Sequence, residues 1–395
     1  MRILFSSTWG YGHVFPMVPL ARAFQAAGHE VRWATHEPAV AIAAAAGLDA
    51  VRTGLDVAGV REVTGRNAQA VAALRPQDRA AFAFPHMFGA WAAPRMAPGL
   101  LELADEWRPD LMVHEQAELA APWVATVLDL PLLTHSFGGA VPAAILAAAG
   151  EQLRALWSEQ GLELPEYAGC YADGYLDICP TPLQTQSLSH IRRRLEIRPE
   201  SYTGEPAGGP DVMLTPDDRP LVYVTLGTVF AQAEVLAEAV RGVAALPVRV
   251  LVTVGPQGQP EALGDQPDNV SVVTWVQQSE VLRHSSVVVS HAGSGTFLGA
   301  LGLGIPQLCL PQAADQFRNA EAALSTGTGL VLTPDAMSAA AITAAVQRLL
   351  DDATLRAKAR AMAEVIAQMP SAAEVAAALD RAGYSGIGGP TTSRP

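Results

Sequence analysis

The chain has 395 residues, of which 50% are hydrophobic and 16% are charged, and its formal net charge at pH 7 is −13. This composition excludes an intrinsically disordered chain and is typical of a globular protein long enough for two domains. The acidic balance argues against nucleic acid as a partner, because a nucleic-acid-binding surface should be basic.

The chain is expected to be cytoplasmic. Its opening residues, MRILFSSTWG, have too short an apolar run for a signal peptide. The most apolar span, residues 131–150, is broken by His135, paired glycines and Pro142, which favours a buried strand, turn and helix over a membrane span. The three cysteines are an odd number without a metal-ligand spacing, which fits a reducing compartment.

Short apolar strands alternate with helices in the first half of the chain. The sequence predicts a glycine-rich loop at residues 10–16, then a helix from near Pro16 to a C-cap at Gly28. Residues 54–98 break this rhythm and are predicted to be irregular or helical material over the mouth of the sheet. Strands are predicted at 2–6, 31–34, 111–114 and 132–135.

The pattern restarts after residues 206–220, whose Gly- and Pro-rich composition predicts a linker. Strands are predicted at 221–226, 248–254, 270–273, 287–290 and 307–310, and helices at 234–245, 339–350, 354–368 and up to about 382. Such alternation indicates α/β domains with parallel sheets.

We therefore predict two Rossmann-like, doubly wound domains that face each other across a cleft. The first domain spans residues 1–205 and the second spans 221–384, with the last helix packing back on the first domain. A disordered tail is predicted at 385–395.

One segment, residues 275–319, carries most of the chemical information: WVQQSEVLRHSSVVVSHAGSGTFLGALGLGIPQLCLPQAADQFRN. A strand, a small-residue turn and a helix start present backbone N–H groups and a positive helix end to a phosphate. His291 begins the turn and can donate a hydrogen bond to a diphosphate oxygen. The alternative interpretation is that His291 is an ordinary core histidine. Trp275 could stack on a nucleobase or fill the core.

This segment resembles the signature of family-1 glycosyltransferases of the GT-B fold, particularly the bacterial enzymes that glycosylate secondary metabolites. The loop GYGHVFP at 10–16 resembles the acceptor loop of the same family. The resemblance implies a base platform at Trp275 and Val276, and a donor-sugar site at Asp315 and Gln316, with Asn319 in the same region. For the diphosphate it implies His291, Gly293, Ser294, Gly295, Thr296 and, after the Leu-Gly turn at 226–227, Thr228.

Gly299 departs from the family pattern. Plant members that use UDP-sugars have a Glu at the matching position, which binds the ribose hydroxyls. Gly offers no acceptor for a ribose 2′-hydroxyl, and a deoxyribose nucleotide leaves nothing unpaired there. The sequence therefore favours a dTDP-sugar donor, usually a deoxysugar, over a UDP-sugar, although Gly299 could also simply allow close helix packing.

His13 is the candidate general base, because transfer to a hydroxyl needs a group of near-neutral pKa that removes the acceptor proton. A buried loop histidine is the rival interpretation. The family pairs this His with an acid, for which Glu115 is the matching candidate; His114 and Glu118 are alternatives. The resemblance implies direct displacement with inversion at the anomeric carbon.

A hydrophobic acceptor, such as a polyketide aglycone, is predicted from a cluster of aromatic residues that could equally fill the core: Phe82, Phe84, Phe88, Trp91 and Phe137. Transfer to oxygen and transfer to carbon both remain open. No Asp-x-Asp motif occurs, so neither a metal nor another cofactor is expected. The sequence leaves open whether the protein is a homodimer.

Three other functions are alternatives to glycosyl transfer. A dinucleotide-dependent oxidoreductase is disfavoured because GYGHVFP lacks the third glycine of G-x-G-x-x-G and has a His and a Pro in the same stretch. A nucleotide-sugar epimerase on the same scaffold would need no large acceptor. A catalytically silent glycosyltransferase-like partner protein would have lost the donor residues, which are present.

Overall fold

The structure is a computed structural model that describes residues 1–200, 202, 204, 218–227, 233–256 and 258–382. Thr228, the predicted tail at 385–395 and most of the predicted linker lie outside the described residues. The chain divides into two compact units. The first contains Met1–Cys179, Gln186–Glu200 and the chain from Pro370, and the second contains Pro180–Thr185 and the chain from Ser201 to Met369.

The first unit is built on a seven-stranded parallel sheet with the strand order β3-β2-β1-β4-β5-β6-β7. Buried apolar strands such as RILFS and LMVHE form its centre, as expected for a parallel sheet covered on both faces. Its strands are β1 (Arg2–Ser6), β2 (Glu30–Thr35), β3 (Asp49–Arg52), β4 (Leu111–Glu115), β5 (Leu132–His135), β6 (Tyr175–Asp177) and β7 (Arg194–Glu196).

Helices connect these strands and cover the sheet. The last helix, α17, lies in the first unit and packs on α2. The helices are α1 (Tyr11–Val14), α2 (Val18–Ala26), α3 (Glu37–Ala45), α4 (Val57–Arg66), α5 (Ala68–Ala72), α6 (Arg79–Phe84), α7 (Ala93–Trp107), α8 (Ala121–Val127), α9 (Ala143–Glu151), α10 (Arg154–Ser158) and α17 (Ala372–Ala382).

The second unit has a six-stranded parallel sheet in the order β10-β9-β8-β11-β12-β13. Its strands are β8 (Leu221–Thr225), β9 (Arg249–Thr253), β10 (Val270–Val273), β11 (Ser285–Ser290), β12 (Gln307–Cys309) and β13 (Gly329–Val331). Its helices are α11 (Ala233–Ala244), α12 (Gln278–His284), α13 (Ser294–Gly302), α14 (Gln316–Thr326), α15 (Ala339–Asp351) and α16 (Ala353–Gln368).

Alternate residues of β8 serve opposite faces of this sheet. Val222 and Val224 belong to the core that packs α11 and α15, whereas Leu221 and Tyr223 belong to a core with Val276. Both sheets have the Rossmann strand order; the second sheet matches it strand for strand, and the first has one further strand, β7, at its edge. The predicted fold class, two Rossmann-like α/β domains, is confirmed.

Two local predictions were incomplete. The helix predicted from near Pro16 already begins at Tyr11, since Gly10, at a φ of +96°, turns the chain and its carbonyl oxygen accepts from the N–H of His13 and Val14. The strands β3, β6, β7 and β13 were missed, because each is short and contains a charged residue or a glycine. Residues 54–98 are mainly helical, including a π-helical stretch at Pro85–Ala92.

Among the described residues, no helix is both long enough and apolar enough to cross a membrane.

A pair of glycines tests the helix packing in this fold. A Cβ on Gly242, in α11, would lie 2.6 Å from the backbone oxygen of Ala339, whereas a Cβ on Gly65, in α4, would meet nothing within 4 Å. We expect Gly242→Ala to lower the free energy of unfolding by about 2 kcal/mol despite the better helix propensity of Ala. Gly65→Ala should raise it by about 0.5–1 kcal/mol. Denaturant unfolding measures both, and equal effects would contradict the packing described.

Candidate active site

His13 lies one turn into the helical segment that follows β1. Its Nδ1 atom is 3.1 Å from Oε1 of Glu115, at the end of β4. The imidazole side chain is 23% exposed and the carboxylate is 0% exposed. The pair therefore has one buried member and one member that solvent or a substrate can reach.

Glu115 is held rigidly in this position. Thr8 donates to its Oε1 from the backbone N–H at 3.1 Å and from the hydroxyl at 2.7 Å, and Ala117 N–H donates to Oε2 at 2.6 Å. Burial alone would raise the pKa of Glu115, but His13 and these hydrogen bonds outweigh it and lower the pKa. The carboxylate is therefore ionised at neutral pH and aimed at His13.

The two alternative partners of His13 are engaged elsewhere. His114 Nδ1 lies 2.7 Å from the carbonyl oxygen of Glu118, and its Nε2 lies 2.8 Å from the hydroxyl of Thr134. The Glu118 carboxylate accepts from the Ser6 hydroxyl at 2.7 Å and from the N–H of Ala120 at 2.7 Å. Of the three candidates, the structure places Glu115 against His13.

Three buried histidines near Glu115 are neutral at physiological pH. Burial lowers the pKa of His36, His114 and His135 to about 4, although Glu115 raises each of them. Burial also raises the pKa of Glu118 to about 7, with a further increase from Glu115, against the hydrogen bonds from Ser6, Ala120 and Ala121. His13 is the histidine whose ring nitrogen lies against the Glu115 carboxylate.

Aromatic rings surround His13. The ring centroids of Phe88 and Phe137 lie 5.6 Å and 5.1 Å from that of His13. Phe84 packs edge-on against Phe88 at 5.0 Å, and Trp9 lies 5.7 Å from Phe88. Trp9 was not among the predicted acceptor residues, although its place directly after β1, beside His13, was a usable signal.

Two of the predicted acceptor residues make other contacts. Phe82 stacks on His86 with ring centroids 4.4 Å apart. Trp91 has the guanidinium carbon of Arg66 at 3.8 Å and that of Arg95 at 4.3 Å from its ring centroid. Phe88 and Phe137 therefore lie against His13, and Phe84 packs on Phe88. Phe82 and Trp91 contact other side chains.

In the second unit, His291 directly follows β11, and Gly293 is the N-cap of α13. A Cβ on Gly293 would lie 2.4 Å from His291 Nε2, and a Cβ on Gly227 would lie 2.6 Å from His291 Cε1. Only glycine fits at these two positions, so the glycines fix where the imidazole lies. Burial lowers the pKa of His291 to about 4, against the effects of Asp315 and the Thr225 backbone, so the ring is neutral.

A hydrogen-bond network fixes the turn between His291 and α13. Ala292 has a φ of +64°, an unfavourable conformation for a non-glycine residue. Asn319 Nδ2 donates to the Ala292 carbonyl oxygen at 2.8 Å and lies 3.0 Å from the Ser294 hydroxyl. The same amide is 3.2 Å from Asp315 Oδ2, to which Ser294 donates at 2.5 Å. Asn319 and Asp315 thus shape the helix start that was predicted to bind a diphosphate.

Gln316 braces the preceding loop. Its side-chain oxygen accepts from the N–H of Gln312 at 2.7 Å and of Ala313 at 2.9 Å, and the residue is 2% exposed. Its oxygen is therefore committed to the protein. A contact with a donor sugar would have to use its amide nitrogen.

The predicted base platform lies between β10 and α12. Trp275 is partly exposed and Val276 is buried. Gln278, at the start of α12, donates to the Thr296 hydroxyl in the first turn of α13 at 2.9 Å, which ties the two segments together. Gly295 is exposed at the helix start and Gly299 is buried within α13.

The described residues contain no group of three or more His, Cys, Asp or Glu side chains that could hold a metal ion.

Two models of the erythromycin biosynthesis protein CIII-like family match the chain, the N-terminal domain over residues 22–191 and the C-terminal domain over residues 234–381. The chain belongs to this family. It is a glycosyltransferase of the bacterial secondary-metabolite type, as the sequence resemblance implied. This membership does not favour the oxidoreductase, epimerase or silent-partner alternatives.

The relatives that match are transferases of natural-product pathways. L-demethylnoviosyl transferase of Streptomyces niveus is 34% identical over 389 residues, which cover 96% of this chain and 97% of the relative. Elloramycin glycosyltransferase ElmGT of Streptomyces olivaceus is 31% identical and covers 99% of both chains. The spinosyn rhamnosyltransferase SpnG is 28% identical with a TM-score of 0.79, covers 96% of this chain and 100% of its own, and has been solved with thymidine diphosphate and with spinosyn aglycone.

Substitutions at Asn319 test the network at the start of α13. In Asn319→Asp, a carboxylate of the same shape would turn an acceptor toward the Ala292 carbonyl oxygen and toward Asp315. We expect the free energy of unfolding at pH 7 to fall by about 3 kcal/mol. Asn319→Ala, which removes the amide without adding a charge, should cost less. The account is wrong if the Asp variant unfolds at the same denaturant concentration as the unaltered protein.

Proposed function

We propose that this glycosyltransferase moves a deoxysugar from a dTDP-sugar to a hydroxyl group of a hydrophobic natural-product aglycone, with inversion at the anomeric carbon and His13 as the general base. The observation that carries the proposal is the contact between His13 Nδ1 and the buried carboxylate of Glu115 at 3.1 Å. This contact fixes which ring nitrogen can act.

The mechanism follows from the tautomer that Glu115 selects. A carboxylate only accepts hydrogen bonds, so Nδ1 of His13 bears a proton and Nε2 carries the lone pair. Nε2 takes the acceptor hydroxyl proton as the oxygen attacks the anomeric carbon, while the bond from that carbon to the diphosphate breaks. The resulting imidazolium is stabilised by Glu115, and direct displacement inverts the configuration.

The donor residues lie in the second unit. The departing diphosphate would be stabilised by the backbone N–H groups at the start of α13 and by a hydrogen bond from His291. We propose that no metal takes part, since these groups can stabilise the charge of the diphosphate by hydrogen bonding.

The choice of nucleotide rests on Gly299 and on the relatives. A buried glycine in α13 offers no side-chain oxygen to a ribose 2′-hydroxyl. SpnG, with the same fold, has been solved with thymidine diphosphate bound. Both observations favour dTDP over UDP.

The aromatic groups around His13 favour a hydrophobic acceptor. Phe84, Phe88, Phe137 and Trp9 form an apolar group next to the proposed base. The natural-product transferases among the relatives support the same acceptor class, since SpnG has been solved with an aglycone. A hydroxyl acceptor is proposed because its proton needs a base.

Substitution of His13 tests the proposed base. His13→Ala should lower kcat by about 10²- to 10⁴-fold, because the acceptor proton loses its base, while the affinity for dTDP stays unchanged. Steady-state kinetics with a dTDP-sugar and titration calorimetry with dTDP measure the two quantities. His284→Ala, at an exposed position of α12, is the control and should leave both unchanged. An unaltered kcat in the His13 variant would remove His13 from the mechanism.

Three nucleotides separate the contribution of the sugar from that of the base. We expect dTDP and dUDP to bind with similar affinity, and UDP to bind about tenfold more weakly, because only UDP has a 2′-hydroxyl to desolvate without a partner. Titration calorimetry gives the three dissociation constants. If dUDP binds as weakly as UDP, the preference comes from the thymine methyl group and the Gly299 argument is wrong.

A further inference from the structure

A row of buried hydroxyl groups lies at the carboxyl ends of β8 and β9. Tyr223 and Thr225 are two residues apart on β8, so their side chains share one face of the sheet. Thr225 and Thr253 are register partners on neighbouring strands. Tyr223 is 2% exposed, Thr225 is 5% exposed and Thr253 is 6% exposed, so each hydroxyl needs a hydrogen-bond partner within the protein.

The hydrogen bonds in this row run in one direction. The Thr253 hydroxyl donates to Thr225 Oγ1 at 2.9 Å. Because a hydroxyl has a single proton, the 3.0 Å contact between Tyr223 and Thr253 must have Tyr223 as its donor. Thr225 Oγ1 also accepts from the backbone N–H of Gly227 at 3.4 Å. The chain of hydrogen bonds therefore leads from Tyr223 to the loop after β8.

This loop and a second segment are both parts of the proposed donor site. Gly227, at a φ of +77°, packs directly against the ring of His291. Burial raises the pKa of Tyr223, while hydrogen bonds with Thr253, Thr225 and Gln278 lower it. Gln278 in turn donates to the Thr296 hydroxyl at the start of α13. The phenol hydroxyl of Tyr223 is thus connected through Thr253 and Thr225 to Gly227, which packs against His291.

We infer that Tyr223 is a positioning residue for nucleotide binding, which through Thr253 and Thr225 holds Gly227 against His291 in the arrangement that receives the diphosphate. The inference rests on the proposed function of this site. Tyr223 is 2% exposed, so the side chain itself offers almost no surface to a substrate. A Phe would supply the same packing in this apolar core without the cost of burying a hydroxyl, so the hydroxyl is explained by the network that it completes.

Tyr223→Phe tests this role because it removes one oxygen atom and keeps the ring. We expect the dissociation constant for dTDP, measured by titration calorimetry, to rise about fivefold. The KM for the donor should rise by the same factor, while kcat and the KM for the acceptor stay unchanged. Tyr175→Phe is the matched control, since it removes a buried phenol hydroxyl from β6 in the first unit, and it should leave dTDP affinity unaltered.

Thr253→Val removes the next member of the same chain and separates positioning from general destabilisation. It should weaken dTDP binding about as much as Tyr223→Phe, and the double variant should be no weaker than either single variant. Failure of the unaltered enzyme to bind dTDP would refute the proposed donor site and the inference with it. If the unaltered enzyme binds dTDP and Tyr223→Phe binds it equally well, or if the two losses add, the inference alone is wrong.

Discussion

The buried carboxylate of Glu115 constrains the whole first unit. It is 0% exposed, so its oxygens must be hydrogen-bonded within the protein. The turns after β1 and β4 supply these partners. Thr8 and Ala117 donate hydrogen bonds to the carboxylate, and Nδ1 of His13 contacts the same group. Three neighbouring histidines cannot compete, because burial keeps them neutral. The charge is therefore directed at a single, partly exposed imidazole, which is what a general base requires.

The second unit uses the same parallel-sheet plan for different chemistry. Its polar groups also lie at the carboxyl ends of the strands, where backbone N–H groups at a helix start remain available. Small residues are essential there, since Gly227 and Gly293 pack against His291 with no room for a side chain. Asn319 stabilises the left-handed Ala292, which precedes Gly293, because its buried amide donates a hydrogen bond to the Ala292 carbonyl oxygen.

Much of this could be predicted from the sequence, because strand-turn-helix order and the position of His13, Glu115 and His291 are local features. The remainder depends on three-dimensional neighbours. Nothing near Trp91 in the sequence shows that Arg66 lies over its ring. A glutamine at 316 looks available until its oxygen is seen to accept two backbone N–H groups. Likewise, the helical turn at Tyr11 depends on the φ of Gly10, which composition alone does not specify.

The central claim is that His13 removes the acceptor proton, and a series of phenolic acceptors with decreasing pKa tests it most directly. For each acceptor, kcat/KM is measured for the unaltered enzyme and for His13→Ala. An acidic phenol is already ionised and needs no base, so the account predicts that the ratio of the two values falls toward one as the acceptor pKa falls below the assay pH. A ratio that stays constant across the series would contradict the account, because the loss would then have nothing to do with proton removal.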